Sequence, residues 1–139
     1  MSVLADTSFF VAVKSLRDTN HSRAVDLLQE IIRGEHGVAH TTDFIFAEAV
    51  TTALARTHRH SAAVGVGEFV HLAHGGSMLF SMNHVTPDQL QEAWRQFRSY
   101  TDRELSMTDW TSVVVARDLD VDAILSFDHG FDGVYPRLL

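Results

Sequence analysis

Short apolar runs alternate with longer segments of helical periodicity along this chain, and this alternation limits the possible folds more than any other feature. The apolar runs are of strand length and cover residues 3–5, 38–40, 78–82, 123–127 and 134–138. A strand, a helix and a second strand in succession favour a right-handed crossover with parallel pairing. We therefore predict a single-domain three-layer α/β/α sandwich over residues 1–139, with a mostly parallel central sheet.

Helix starts and ends can be placed from capping residues and apolar spacing. We expect a first helix capped by residues 6–8, and further helices over 21–34, from Thr42 or Asp43, over 61–74, from Pro87 and from Thr108. Spacing predicts two buried helix faces, one formed by Phe44, Ala47, Val50 and Leu54 and the other by Leu90, Trp94 and Phe97.

Composition excludes several classes of protein. The 139 residues include no cysteine, which rules out a disulfide framework, a thiolate zinc site and a cysteine nucleophile. Eighteen acidic and eleven basic residues give a formal net charge of −7, which argues against binding duplex nucleic acid through a broad basic surface. No apolar run is long enough to span a bilayer, and the start of the chain lacks the pattern of a secretory signal, so we expect no membrane association and a cytoplasmic location.

Four carboxylates stand out by their positions: Asp6, Glu48, Asp109 and Asp128. Two come directly after apolar strands, one begins an apolar helix and one lies within an apolar helical stretch. Singly, each has an ordinary interpretation as a helix cap, a loop residue or a solvated helix residue. In a parallel sheet, however, strand ends and the helix starts that come after them meet at one edge, where unpaired acids repel one another. This convergence predicts a divalent cation, and oxygen ligands favour Mg²⁺ or Mn²⁺ over Zn²⁺.

The segments around these acids resemble those of PIN-domain proteins, in particular the VapC-type toxins of toxin–antitoxin pairs. The matching segments span nearly the whole chain and comprise residues 3–8 (VLADTS), Glu48, residues 106–109 (SMTD) and residues 126–131 (SFDHGF). The resemblance implies a metal-dependent endoribonuclease that hydrolyses RNA phosphodiester bonds, with Asp6, Glu48, Asp109 and Asp128 as its catalytic and metal-binding quartet. It also implies a homodimer and an antitoxin protein, which we expect to insert a basic side chain among the acids in place of the metal.

Two serines are predicted to support the quartet. Ser8 is expected either to hold a metal-bound water or to cap the first helix. Ser126 is expected to fix Asp128 by a hydrogen bond, although an exposed hydroxyl at a strand end is an equal alternative.

Two arginines are candidates for contact with RNA. Arg56 and Arg59 lie just beyond the helix segment that carries Glu48, and their charges suit RNA phosphates. A solvated helix end is the ordinary alternative for both residues. Trp110, next to Asp109, is expected to narrow the site.

Other functions fit the sequence less well. A receiver-type phosphoacceptor needs a lysine at a late strand end, but the only lysine is Lys14. A phosphatase of the haloacid dehalogenase type needs a second aspartate where Ser8 stands, and no glycine-rich turn for a dinucleotide comes after the first strand. Two alternatives stay open: a non-catalytic PIN-like module that binds RNA or protein, and an RNA-processing nuclease outside a toxin–antitoxin pair. The presence of all four acids favours a nuclease.

Overall fold

Seven strands and six helices make up the chain, and the computed structural model describes every residue from Met1 to Leu139. The strands are β1 (Ser2–Ala5), β2 (Val38–Thr42), β3 (Ala73–His74), β4 (Ser77–Met78), β5 (Phe80–Asn83), β6 (Ala123–Leu125) and β7 (Arg137–Leu138). The helices are α1 (Thr7–Lys14), α2 (His21–Ile32), α3 (Asp43–Thr57), α4 (His60–Val70), α5 (Pro87–Ser99) and α6 (Met107–Leu119), and a 3-10 turn (His129–Phe131) lies after β6. None of the helices is both long enough and apolar enough to cross a membrane.

Five strands form one parallel sheet in the order β5-β2-β1-β6-β7. From β1 the chain moves through β2 to β5 on one side of the sheet, and it then returns to β6 and β7 on the other side. Right-handed crossovers therefore place α1 to α4 on one face and α5 and α6 on the opposite face. The predicted α/β fold with a parallel central sheet is confirmed. The reversal between β1 and β6 opens a crevice at their carboxyl ends, which is where open α/β sheets bind ligands.

A single cluster of 29 buried residues forms the hydrophobic core. Phe10 of α1 lies at its aromatic centre and makes edge-to-face contacts with Phe9, Phe69 and Phe80, with ring centroids 5.4, 5.7 and 4.8 Å away. These contacts join α1 to α4 and β5. The start of α1, directly after Asp6, is thereby fixed against the sheet.

The fourth helix is shorter than the predicted 61–74, because α4 runs from His60 to Val70. Gly75 and Gly76, both with positive φ, form the two-residue turn of a hairpin that pairs β3 with β4. The hairpin requires extended backbone at residues 73–74. The predicted strand over 78–82 is correspondingly displaced, and the sheet strand β5 starts at Phe80.

The predicted apolar face of α3 is wrong in part, and the predicted face of α5 is wrong throughout. Helix α3 buries Ile45, Ala49 and Ala53 most deeply, whereas Ala47 and Leu54 of the predicted face are exposed. Helix α5 buries Ala93 and Gln96, and its larger side chains Leu90, Trp94 and Phe97 remain exposed by 37%, 51% and 41%.

A polar contact accounts for the orientation of α5. The buried side chain of Gln96 accepts a hydrogen bond from Arg117 of α6 at 3.2 Å and donates one to Glu92 at 2.9 Å. Trp94 stacks on Phe97 at the surface, with ring centroids 5.8 Å apart. Spacing alone predicts that the larger apolar side chains are buried. It does not reveal that a glutamine makes the contact between the two helices.

We expect Gly37→Ala to destabilise the fold more than Gly34→Ala does. Both glycines have positive φ, so alanine strains the backbone at either site by about 1 kcal/mol or more. A Cβ at position 37 would also lie 1.9 Å from the Met1 carbonyl oxygen, whereas a Cβ at position 34 would meet no atom within 4 Å. Urea unfolding of the two variants measures the difference. Equal losses of unfolding free energy would show that the clash beside β1 is relieved without cost.

Candidate active site

A cleft of about 420 Å³ opens at the crevice between the carboxyl ends of β1 and β6. All four of the predicted carboxylates line this cleft, together with Ser8 and Arg56. Its wall also includes polar side chains to which the sequence analysis assigns no role: Thr7, Asp18, Asn20, Thr52, Glu104 and Ser106. The topology therefore brings together acids that are far apart in the chain.

Asp6 is the N-cap of α1 and is almost completely buried, with 3% of its surface exposed. Its Oδ1 accepts hydrogen bonds from the Ser8 backbone N–H at 3.0 Å, the Ser8 hydroxyl at 2.8 Å and the Phe9 N–H at 3.5 Å. Its own N–H donates to the Leu125 carbonyl of β6 at 3.2 Å. The side chain is thus fixed both to the start of a helix and to the neighbouring strand.

Asp109 occupies the third position of α6 and forms a capping box with the N-cap residue Ser106. Its Oδ2 accepts from the Ser106 N–H at 2.9 Å, and the Ser106 Oγ accepts from the Asp109 N–H at 3.1 Å. The same Ser106 hydroxyl donates to Glu48 of α3 at 3.4 Å. Ser106 therefore connects two of the acids across two helices.

Ser8 and Ser126 connect the ends of β1 and β6. The Ser8 hydroxyl, besides donating to Asp6, accepts from the Phe127 N–H at 2.9 Å and lies 3.3 Å from the Ser126 hydroxyl. Ser126 accepts from the Asp128 N–H at 3.0 Å, so it contacts the backbone of Asp128 and not its carboxylate. Ser126 is buried, unlike the exposed strand-end hydroxyl considered as the alternative.

In each of the three aspartates of the quartet, one carboxylate oxygen accepts a hydrogen bond from a backbone N–H. The other oxygen has no hydrogen-bond partner in the protein. The engaged oxygens are Oδ1 of Asp6, Oδ2 of Asp109 and Oδ1 of Asp128, the last of which accepts from the Gly130 N–H at 2.8 Å. Capping thus fixes the orientation of each carboxylate. The second oxygen remains available to a ligand in the cleft.

Two of the acids have strongly raised pKa values. Burial raises the pKa of Asp6 to about 7, an effect that the hydroxyls of Ser126 and Ser8 oppose and the nearby charge of Asp109 reinforces. Burial likewise raises the pKa of Asp109 to about 6, with hydrogen bonding from Ser106 opposing and the charges of Glu48 and Asp128 reinforcing it. Burial and the neighbouring acids thus favour the neutral form of both carboxyl groups, and a nearby positive charge would favour the ionised form.

Arg56 is the only basic residue that lines the cleft, and it takes part in none of the seven ion pairs of the structure. The acids in the wall therefore outnumber the cations by six to one. No group of three or more acidic or histidine side chains is close enough to enclose a metal ion by itself. An open set of oxygen donors of this kind fits a cation that keeps several of its own waters, as Mg²⁺ does.

Comparison with known proteins finds a relative that resembles this chain over nearly its whole length. The chain is 29% identical to VapC20 of Mycobacterium tuberculosis, a 23S rRNA-specific endonuclease, over 129 residues that cover 93% of this chain and 91% of VapC20. The crystal structure of VapC20, described as a Sarcin-Ricin loop cleaving toxin, superposes with a TM-score of 0.79 at 27% identity and covers 96% of this chain and 99% of that one. The predicted resemblance to VapC-type PIN-domain toxins is confirmed by this similarity.

A second solved structure shares the fold at lower similarity. FitAcB from Neisseria gonorrhoeae superposes with a TM-score of 0.63 at 18% identity, over 99% of this chain and 96% of that chain. No protein-family model matches the sequence.

One expectation about the site differs from what the structure shows. Trp110 is 1% exposed and stacks on Tyr100 with ring centroids 5.0 Å apart, so it belongs to the core and does not narrow the cleft. Of the two arginines predicted to contact RNA, Arg56 lines the cleft and Arg59 lines an adjoining groove. The spacing of Glu48, Thr52 and Arg56 by four residues places them on one side of α3, a signal that the sequence does contain.

The remaining wall residues could not be inferred in the same way. Asp18 and Glu104 lie in connections before α2 and α6, and no periodic pattern marks them. Ser106 belongs to a segment that matches the family, and the Ser-x-x-Asp spacing of a capping box is the available signal for its role.

We expect Asp6→Asn to change how the stability of the protein depends on pH. In metal-free buffer the folded wild type retains a proton on Asp6 up to about pH 7, whereas the unfolded chain loses it near pH 4. The unfolding free energy of the wild type therefore falls as pH rises from about 4 to 7, by up to about 4 kcal/mol from this group. Asn preserves the capping oxygen and carries no charge, so the variant should lose this pH dependence and be more stable than the wild type at pH 8.

Denaturant unfolding in EDTA between pH 4 and pH 8 measures this effect. Asp26→Asn, at an exposed acid of α2 without a hydrogen bond or ion pair, is the matched control and should keep the wild-type slope. Identical slopes for wild type and Asp6→Asn would contradict the raised pKa of Asp6.

Proposed function

We propose that this chain is a metal-dependent endoribonuclease that hydrolyses RNA phosphodiester bonds. The observation that carries the proposal is the cleft in which Asp6, Asp109 and Asp128 are each held by a backbone cap while one oxygen stays free, with Glu48 beside them. Burying charges without partners is costly, so a scaffold with no ligand gains nothing from this arrangement. The activity of VapC20 as an rRNA endonuclease supports the same conclusion for a chain of the same family.

The donor set indicates which residues would hold the metal. Asp6 and Asp109 are the expected direct ligands for Mg²⁺ or Mn²⁺, because they are the most buried acids and each offers a free oxygen. Asp128 and Glu48 are expected to bind directly or to orient metal-bound water. When bound, such an ion supplies Lewis-acid stabilisation of the phosphate and lowers the pKa of a coordinated water.

The protein's own groups have defined tasks in this mechanism. Ser8 and Ser106 hold the direct ligands at Asp6 and Asp109, so neither carboxylate has to reorient during the reaction. The raised pKa values of both acids mean that a cation must displace protons near neutral pH, which makes ion binding tighter as pH rises. Arg56 is the one cation in the wall and is placed to bind a substrate phosphate.

The proposal extends to partners. As a VapC-type chain, it is expected to act in the cytoplasm as the toxin of a type II toxin–antitoxin pair and to form a homodimer. Its antitoxin is expected to place an arginine or lysine among the acids, because one basic group there would offset the same repulsion that a metal offsets. An antitoxin that inhibits without a basic residue in the cleft would contradict this expectation.

We expect Asp109→Asn to abolish metal-dependent cleavage of RNA while leaving the protein folded. The change is nearly isosteric, retains an oxygen for the Ser106 N–H and removes one ligand charge. Loss of a residue that only orients a ligand costs about 10- to 100-fold in activity, so Ser106→Ala should fall in that range and Asp109→Asn below it. The assay is cleavage of a mixed pool of structured and single-stranded RNAs with Mg²⁺ or Mn²⁺.

Asp26→Asn is the control for the loss of an acidic residue and should cleave like the wild type. Melting with and without Mn²⁺ separates the possible failures, since a ligand that binds only the folded state raises the melting temperature. Stabilisation by Mn²⁺ without cleavage would mean that the RNA target is absent from the pool. Neither stabilisation nor cleavage would refute the nuclease and favour a non-catalytic binding module.

A further inference from the structure

A second groove, of about 260 Å³, lies directly beside the acidic cleft. It is formed where the end of α1, the end of α3 and the start of α4 meet, and Lys14, Arg56 and Arg59 line it. No acidic residue is part of its wall. The chain has a net charge of −7, so a groove whose only charged groups are positive has a local charge opposite in sign to that of the whole protein.

The basic side chains of this groove have no internal partners. Six of the eleven basic residues in the chain make side-chain ion pairs or hydrogen bonds: Arg23, Arg33, Arg95, Arg103, Arg117 and Arg137. The other five are Lys14, Arg17, Arg56, Arg59 and Arg98, and Arg98 lies over the Trp94 ring at 5.9 Å. Three of the five unpaired cations therefore converge on one groove.

Helix electrostatics do not account for all three cations. Lys14 and Arg56 lie in the last turns of α1 and α3, where a positive charge stabilises the helix. Arg59 is instead the N-cap of α4, where a positive charge is unfavourable. Its backbone is held there by the Thr57 hydroxyl, which accepts from the Arg59 N–H at 3.1 Å.

The groove and the acidic cleft adjoin each other, because Val11 and Arg56 line both. A strand whose backbone reaches the carboxylates would therefore have its neighbouring phosphates next to Lys14 and Arg59. The hydroxyls of Ser15 and Ser61 also line the groove and add neutral hydrogen-bonding groups. An isolated acidic peptide would satisfy the cations, but it would not make use of the position of the groove beside the cleft.

We propose that the groove of Lys14, Arg56 and Arg59 binds the sugar-phosphate backbone of the RNA strand next to the bond that is cut. The inference rests on the proposed nuclease function and assigns its substrate-positioning subsite. Phosphate contacts of this kind fix the register of a strand without reading its sequence. The groove therefore contributes affinity, and RNA specificity arises elsewhere.

The test is the binding of a fluorescein-labelled, mixed-sequence single-stranded RNA, measured by anisotropy at a fixed Mg²⁺ concentration. The full-length chain with Asp109→Asn is the background, so that cleavage plays no part in the readout. Lys14→Gln and Arg59→Gln should each weaken binding about fivefold at about 0.1 M salt and reduce the slope of log affinity against log salt by about 0.7. Arg98→Gln is the matched control, because it removes the same charge from an unpaired arginine on the opposite face of the sheet, and it should change neither quantity.

Three results would overturn the proposal. The first is RNA binding by Lys14→Gln and Arg59→Gln that equals that of Arg98→Gln. The second is a uniform loss with Arg98→Gln included, which would indicate only long-range charge. The third is an equal loss of binding to labelled polyglutamate, which would identify the groove as a site for an acidic protein segment. Cleavage by Lys14→Gln and Arg59→Gln in an otherwise wild-type chain tests the nuclease separately from the groove. If these variants bind RNA normally and still cleave it, the groove proposal is wrong and the nuclease proposal stands.

Discussion

The active cleft depends on one local interaction, the capping of a helix or turn by an aspartate at the carboxyl edge of the sheet. Asp6 caps α1, Asp109 completes the capping box of α6 and Asp128 caps the 3-10 turn after β6. In each case the cap takes one oxygen and leaves the other free. The capping role and the proposed catalytic role of these aspartates are therefore compatible. Capping uses one oxygen and orients the carboxylate, and a metal would bind the other oxygen.

The sheet order turns these local caps into one site. Since β1 and β6 are neighbours at the point where the chain reverses its direction across the sheet, the residues directly after these two strands must lie side by side. Ser8 and Ser126 then join the two strand ends, and the resulting network is largely buried. Burial in turn raises the pKa of Asp6 and Asp109, so the same packing that fixes the carboxylates also makes them dependent on a counter-charge.

Local rules and the order of the strands were enough to predict most of the fold and the centre of the site. The strands at residues 3–5 and 38–40, the cap at Asp6 and the convergence of four acids all result from short-range pattern plus the handedness of crossovers. The exposed position of Trp94 and Phe97 was not predictable, because the buried face of α5 depends on a contact between Gln96 and Arg117 that is remote in sequence. Connections and helix ends also contribute residues that could not be predicted, namely Asp18 and Glu104 in the cleft and Lys14 in the groove. Periodicity does not indicate which side chains in such segments lie close together.

The neighbouring acidic and basic surfaces together place a strong condition on anything that binds here. RNA brings phosphates that suit Lys14 and Arg59, but these phosphates are repelled by the carboxylates unless a divalent cation lies between them. An inhibitory protein has the opposite requirement, since a basic side chain that suits the carboxylates is repelled by the groove. A partner that covered both surfaces would therefore need a positive charge over the cleft and a negative or neutral segment over the groove. The order of charges along the ligand, and not its net charge, would then decide which ligands this protein binds.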